Sequence, residues 1–313
     1  MIVTVTLNPA IDKTINIDNF MEGKVNRVSG ARIDIGGKGI NASKVINKLG
    51  GKSIVLGFVA GKNGDTIIEY LNDNGIQHDL IKTKGETRTN IKIVDKIKGL
   101  VTDINEKGQS IRKDEVRKLK ERILNNLSKG DIIVFSGSVP PGVKNNIYKE
   151  LIELSKSKGA KTILDADGQL LVEGIKAKPY LIKPNIHELE KAFSRNLNDN
   201  ISIVNLAKEI VNGGVENVYI SMGEKGSIFV NKDTEVFIDA LDVEVKNTVG
   251  AGDALVASVA FALEKGYDLK KALKLSTAAA TLSVMSEGTQ IGNIKDIEKL
   301  ENKVKLNIYS EVV

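Results

Sequence analysis

The sequence predicts an α/β protein, a doubly wound and mostly parallel sheet flanked by helices, with a small β-layer inserted into it. Three observations carry that expectation. Apolar runs recur at "IVTVTL" (2–7), "SIVLGFV" (53–59), "DIIVFSG" (131–137), "KTILDA" (161–166), "YLIK" (180–183), "NVYISMG" (217–223) and "GSIFV" (226–230), as strands covered on both faces do. Between several of them stand Lys- and Glu-rich patterns of helical length: 112–130, 145–159 and 204–214. Strands alternating with such helices build parallel βαβ units. Two segments break the rhythm, "TINIDNF" (14–20) and "TNIKIVDKIKGLVTDIN" (89–105). Their period of two, with no helix between the halves, predicts half-buried antiparallel strands.

Each helix-to-strand step has a local reason. Gly130 and Gly159 close the first and second of these helical patterns just before a strand, where glycine accepts the left-handed backbone of a C-cap. In a doubly wound sheet, ligands meet the chain beyond the carboxyl ends of the strands. The loops leaving those ends are therefore the places to look for chemistry. No repeat, low-complexity tract or linker divides the 313 residues, so one domain over 1–313 is expected; its β-layer, at approximately 12–33 and 87–106, is a lid, an oligomer contact or an ordinary edge hairpin.

Composition narrows the class. A net charge of +5 is spread along the chain, and aromatics are 4% with no Trp. A stacking platform for nucleic acid is poorly supplied, whereas mild basicity suits a small anionic substrate. The absence of cysteine excludes disulfides, thiolate metal sites and a cysteine nucleophile. "MIVTVTLNPA" alternates like a strand and lacks a charged stretch followed by an apolar one, and no run approaches bilayer length. A cytoplasmic protein is expected, without a membrane partner.

"NTVGAGDALVAS" (247–258) sends one acid, Asp253, from a small-residue turn into an apolar run. Asp253 caps the helix beginning there, or free N–H groups at that terminus hold an anion and leave the carboxylate for the substrate. Locally, capping is the commoner arrangement. "GGKGIN" (36–41) fails as a dinucleotide motif, because "ARIDI" before it is a poor buried strand and no ribose-binding acid follows. Gly51-Lys52-Ser53 fails as a phosphate loop, because Ile46 stands where glycine is required. What survives is a glycine turn entering the helix "NASKVINKL" (41–49), with Asn41 at its start as ligand or as cap.

In "KPNIHELE" (183–190), Pro184 stops a strand, and Asn185 and Glu188 follow three apart. They supply oxygens to Mg²⁺ or hold its waters, or else they form a capping box. Gly223 and Gly226 mark a tight turn, most simply a hairpin. "FSGSVPPG" (135–142) ends a strand in Ser136-Gly137-Ser138, where Ser138 can meet a ligand. His78 and His187 have no partner pattern and receive no role.

"GGKGIN", "KPN..E" and "NTVGAGD", in that order and at these distances, resemble the ribokinase-like (PfkB-type) carbohydrate kinases from Met1 to about Ile291. The resemblance implies ATP-dependent phosphorylation of a sugar phosphate, foremost D-fructose 1-phosphate on its 6-hydroxyl. Tagatose 6-phosphate and fructose 6-phosphate are the alternatives within the family. A non-catalytic sugar- or nucleotide-binding regulator is the alternative of another class.

By the same resemblance, Asp253 is the catalytic base, and Gly250, Ala251 and Gly252 form the anion hole. Asp12 binds sugar hydroxyls; Gly37, Lys38, Gly39 and Asn41 form the sugar turn, with Lys38 adding charge for a sugar phosphate. Arg88 reaches the substrate phosphate. Lys183, Asn185 and Glu188 serve the nucleotide phosphates and Mg²⁺. Ser221, Gly223, Gly226 and Thr248 lie near the nucleotide. The resemblance implies that the β-layer is a lid that also makes a homodimer, with Lys24, Asn26 and Arg27 placed to meet the substrate of their own or a neighbouring subunit. "LDADGQLL" (164–171) and "LSVMSEGTQIG" (282–292) depart from the family pattern, and Asp165 and Asp167 receive no role.

Overall fold

The computed structural model describes residues 1–286 and 294–310. Its main sheet has seven parallel strands. Across the sheet from one edge they are β5 (Gln77–Thr83), β4 (Ser53–Ala60), β1 (Ile2–Thr6), β8 (Ile132–Ser136), β9 (Lys161–Asp165), β10 (Leu181–Ile182) and β11 (Asn217–Ser221). Three antiparallel strands extend the other edge: β12 (Ser227–Asn231), β13 (Thr234–Ile238) and β14 (Leu306–Ser310). Of these ten, β5, β13 and β14 carry no signal in the sequence reading above. β5 and β14 are the sheet's two edges, where half-exposed strands lose the continuous apolar run.

Successive residues of β1 point to opposite faces, and the core divides accordingly. Val3 and Val5 pack with helices α3 (Lys113–Asn125), α4 (Ile147–Ser157), α5 (Gly168–Ile175), α6 (Ile186–Phe193) and α7 (Asn200–Asn212). Ile2 packs with α1 (Lys38–Lys48), α8 (Ala251–Glu264), α9 (Leu269–Met285) and α10 (Ile294–Glu301). A third cluster joins Val55 and Val59 of β4 to Ile67 and Leu71 of α2 (Gly61–Asp73). The apolar run after Asp253 becomes α8, buried on nearly every side between α1, α9 and the sheet.

The small sheet has the order β3 (Gly30–Gly36), β2 (Ala10–Ile17), β6 (Arg88–Asp95), β7 (Leu100–Asn105). The sequence predicts antiparallel pairing throughout, and the structure corrects this. β2–β3 and β6–β7 are antiparallel, but the central pair β2–β6 is parallel. Two separate excursions supply the two halves, and both leave the main body in the same direction. "ARIDI" is β3, half-exposed rather than buried. Every residue of β7 is exposed, and Ile33, Leu100, Val101 and Ile104 present apolar side chains to solvent. Among the described residues, no helix is long and apolar enough to cross a membrane.

Candidate active site

The strand ends deliver the site. β1, β8, β9, β10 and β11 finish at Thr6, Ser136, Asp165, Ile182 and Ser221. The residues at or just beyond those ends are Asn8, Ser138, Asp165, Lys183 and Ser221. They form one rim at the carboxyl edge, where an α/β sheet binds its ligands.

Asp253 stands in the first turn of α8, whose N-cap Gly250 adopts a left-handed φ of 89°. No side chain caps this terminus, so its first amides lack an intrahelical acceptor. Asp253 does not serve as the cap. Its buried carboxylate accepts instead from Asn41 Nδ2 at 2.8 Å. Burial pushes its pKa up to about 6; the Lys38 and Lys183 ammonium groups and the Asn41 hydrogen bond pull against that, while Asp165 adds to it. A carboxyl in this range is ionised at neutral pH yet basic enough to take a proton.

Asn41 is not a helix cap either. α1 begins at Lys38, three residues earlier than the pattern suggests, with Gly37 as N-cap at φ 112°. Asn41 therefore lies on the first turn. Lys44 follows one turn later, and its ammonium donates to the Ile35 carbonyl and, at 3.5 Å, to Asn41 Oδ1. An ammonium only donates, so the Asn41 oxygen faces Lys44 and its NH₂ is left for Asp253. Burial pushes the Lys44 pKa down to about 8, against the carboxylates of Asp34, Asp12 and Asp253.

Lys38, expected at a sugar phosphate, is paired with a buried carboxylate. Its Nζ lies 3.1 Å from Asp165 Oδ2, and Lys183 Nζ lies 3.1 Å from Asp165 Oδ1. Burial disfavours charge on Lys38 and Asp165. The two cations nonetheless hold the Asp165 carboxyl below its usual range, and the carboxylates of Asp165 and Asp253 hold Lys38 above its own. Lys183 Nζ is 3.3 Å from where a Cβ on Gly252 would stand. Glycine at 252 leaves the room that brings this ammonium against the start of α8.

At the other end, Asp12 accepts from Asn90 Nδ2 at 2.8 Å. A Cβ on Gly36 would sit 2.6 Å from the Asp12 carboxyl carbon, so glycine there makes space for that side chain. Burial raises the Asp12 pKa, against the Asn90 hydrogen bond and the nearby Arg88 charge. Arg88 donates to the Asn8 carbonyl at 3.1 and 3.2 Å and to the Glu106 carbonyl at 3.2 Å. Asn8 in turn donates to Ser138 Oγ at 3.3 Å.

Asn185 and Glu188 form the capping box of α6. Glu188 N donates to Asn185 Oδ1, and Asn185 N to Glu188 Oε2, each at 2.8 Å. Asn185 is thus the N-cap rather than a residue on the helix face. Ser221 bridges to Asn185 along the strand ends and donates its N–H to the Pro184 carbonyl at 3.0 Å. Gly223 and Gly226 flank a 3₁₀ turn joining antiparallel β11 and β12, the expected hairpin. Thr248 is exposed just before α8. Asn26 clamps its own loop through Met21 and Lys24 rather than reaching toward the site, while Lys24 and Arg27 are exposed. Residues 287–292 of the departing segment lie outside the described residues.

The pattern of the pfkB family carbohydrate kinases matches residues 5–296. The chain belongs to this family. Among carbohydrate kinases of known name, the 1-phosphofructokinase of Borreliella burgdorferi is 35% identical over 315 residues, covering 99% of this chain and all of that one. The tagatose-6-phosphate kinase of Staphylococcus epidermidis is 32% identical, covering 98% and 99%. The solved phosphofructokinase-2 of Escherichia coli superposes with a TM-score of 0.91 at 28% identity, covering 96% of this chain and 98% of that one. As a carbohydrate kinase, the protein uses ATP as co-substrate and a sugar phosphate as acceptor.

Sequence reasoning missed Asn8, Gly36, Lys44, Asn90 and Asp165. Lys44 was within reach, since it shares a helix face with Asn41 at a spacing of three. Asp165 ends a buried strand, which is itself a ligand-facing position.

Proposed function

We propose that the protein transfers the γ-phosphoryl group of ATP to the 6-hydroxyl of D-fructose 1-phosphate. The observation that carries this reading is Asp253, a buried carboxylate of raised pKa beside the uncapped N-terminus of α8. The hydroxyl oxygen attacks the γ-phosphorus, the bond from that phosphorus to the β,γ-bridging oxygen breaks, and ADP leaves. Asp253 takes the hydroxyl proton. The N–H groups of Gly250, Ala251 and Gly252 receive the charge that spreads over the transferring oxygens.

Asp12 and Asn90 hold sugar hydroxyls, with Gly37, Gly39 and Asn41 as the floor of the sugar site. Arg88 and Ser138 meet the phosphate already on the sugar. Lys183, Ser221, Gly223, Gly226 and Thr248 line the nucleotide side. Asn185 and Glu188 would hold Mg²⁺ through its waters, and the ion would neutralise part of the charge of the ATP phosphates. One Glu188 oxygen is committed to the capping box and the other has no protein partner among the described residues. That fits an ion held through water beside Asn185, not a protein-made cage, and the described residues contain no cluster of three acidic or His ligands.

The single domain is cytoplasmic, and its small sheet closes over the sugar, from segments 10–36 and 88–105. Its exposed apolar face makes a homodimer, because Ile33, Leu100 and Ile104, which the strand register puts on one side of the small sheet, otherwise stand uncovered on one thin layer. A double variant, Leu100→Asp with Ile104→Asp, is expected to halve the mass seen by light scattering. A native chain that scatters as a monomer removes the dimer.

The function is tested by kcat/KM with ATP for D-fructose 1-phosphate, tagatose 6-phosphate and fructose 6-phosphate. The first is expected to lead. Preference for either of the others reassigns the acceptor. Ligand-induced thermal stabilisation without any transfer replaces the kinase by a binding regulator.

A further inference from the structure

Asp165 is the most buried charged group of the site, with a side chain 1% exposed, and nothing in the transfer step above uses it. Its two oxygens are divided between two lysines, Oδ1 with Lys183 and Oδ2 with Lys38. The lysines come from opposite sides, Lys38 from the first residue of α1 and Lys183 from just past β10. The stem of Lys38 crosses Gly137, whose missing side chain would stand 3.6 Å from Lys38 Cβ. Lys183 passes Gly252 as described.

Stability does not account for such a triad. Buried ion clusters lose about as much in desolvation as they gain in attraction, and apolar replacements of similar volume are often as stable. Its position does suggest a use. Each ammonium carries three N–H donors, and the shared carboxylate engages one side of each, leaving further donors for an incoming anion. Around the α8 N-terminus the groups are three cations, Lys38, Lys183 and Lys44, and three carboxylates, Asp165, Asp253 and Glu188. A phosphoryl group entering there adds negative charge; Lys44 is already engaged by the Ile35 carbonyl and Asn41 Oδ1, which leaves Lys38 and Lys183 to offset it.

We propose that Asp165 is a positioning residue that holds Lys38 and Lys183 as a two-cation clamp on the phosphoryl group in transfer. The inference rests on the reading that this group lies at residues 250–253. It moves Lys38 from the sugar's own phosphate to the reacting one.

Two variants of the full chain test it. Lys38→Met, at a partly exposed position, should lower kcat by about 10²-fold, the loss typical of one charge-stabilising donor, with KM for the sugar phosphate unchanged. By calorimetry it should bind ATP more weakly and ADP as the native chain does, because only ATP carries the γ-phosphoryl group. A raised KM for the sugar phosphate with native kcat overturns the clamp and returns Lys38 to the sugar's phosphate. Asp165→Asn should lower kcat and move the acid limb of the rate profile to lower pH. The carboxylate that raises the Asp253 pKa is then gone, while Lys38, Lys183 and Asn41 still lower it. A lower melting temperature with native kcat per folded molecule and an unmoved limb makes Asp165 structural only. Should Asp165→Asn fail to fold, Lys38→Met decides alone. Native behaviour of both variants alongside an inactive Asp253→Asn removes the clamp and leaves the transfer site standing. An active Asp253→Asn removes the transfer site itself.

Discussion

Asp253→Asn is expected to lower kcat by roughly 10²- to 10⁴-fold, the range for losing a general base, while the protein stays folded. Asparagine keeps the volume and can still accept from Asn41 through its oxygen. The remaining atom is then an NH₂, which cannot take a proton. The native enzyme should show the matching pH dependence. Below about pH 6 the carboxyl is protonated and kcat/KM falls tenfold per unit; above it the rate reaches a plateau. Stability moves the other way. The folded pKa lies above the ordinary 3.8, so between about pH 4 and 6 the folded state binds more protons than the unfolded one. Stability therefore falls as pH rises through that window and stays reduced above it. Asp253→Asn removes this penalty, so at pH 8 it should melt no lower than the native chain. Turnover near the native rate, or a clear loss of stability at pH 8, contradicts the role given to this carboxyl.

Gly39→Ala is expected to be the most damaging one-carbon change in the sugar turn. A Cβ there would collide with Thr6 Oγ1 and stand 2.7 Å from the Val5 carbonyl oxygen and 2.9 Å from its carbon. Backbone of a central strand cannot swing aside as a side-chain tip does. α1 must then back away from β1, at a cost of roughly 1–3 kcal/mol for overpacking, or a few degrees of melting temperature per kcal/mol in a chain of this size. The displacement also reaches the chemistry. Asn41, two residues on, carries the amide that meets Asp253 at 2.8 Å, so kcat should fall with stability. Thermal melting and turnover measured together check this, and a variant native in both would show that α1 has slack against β1.

Much of this was legible before any fold was known. Apolar runs gave seven of the ten main-sheet strands, because a strand covered on both faces must be apolar along its length. The edge strands β5 and β14 were silent because one side of each is wet. Period two found the small sheet but not its parallel centre, since alternation reports burial and says nothing of which strand lies alongside. The glycine-rich turn at 250–252 and its acid were also visible, because a close backbone approach requires small residues at fixed spacing.

What the sequence by itself determined, then, was local: alternating strands and helices, a glycine turn opening α8, and a single acid placed there. Only the tertiary structure decided that Asp253 meets Asn41 from 212 positions away and that Lys38 turns to Asp165 rather than outward. The reason is physical. Periodicity and turn chemistry act over a few residues, whereas the partner and protonation of a buried charge depend on which strand ends the sheet order brings side by side.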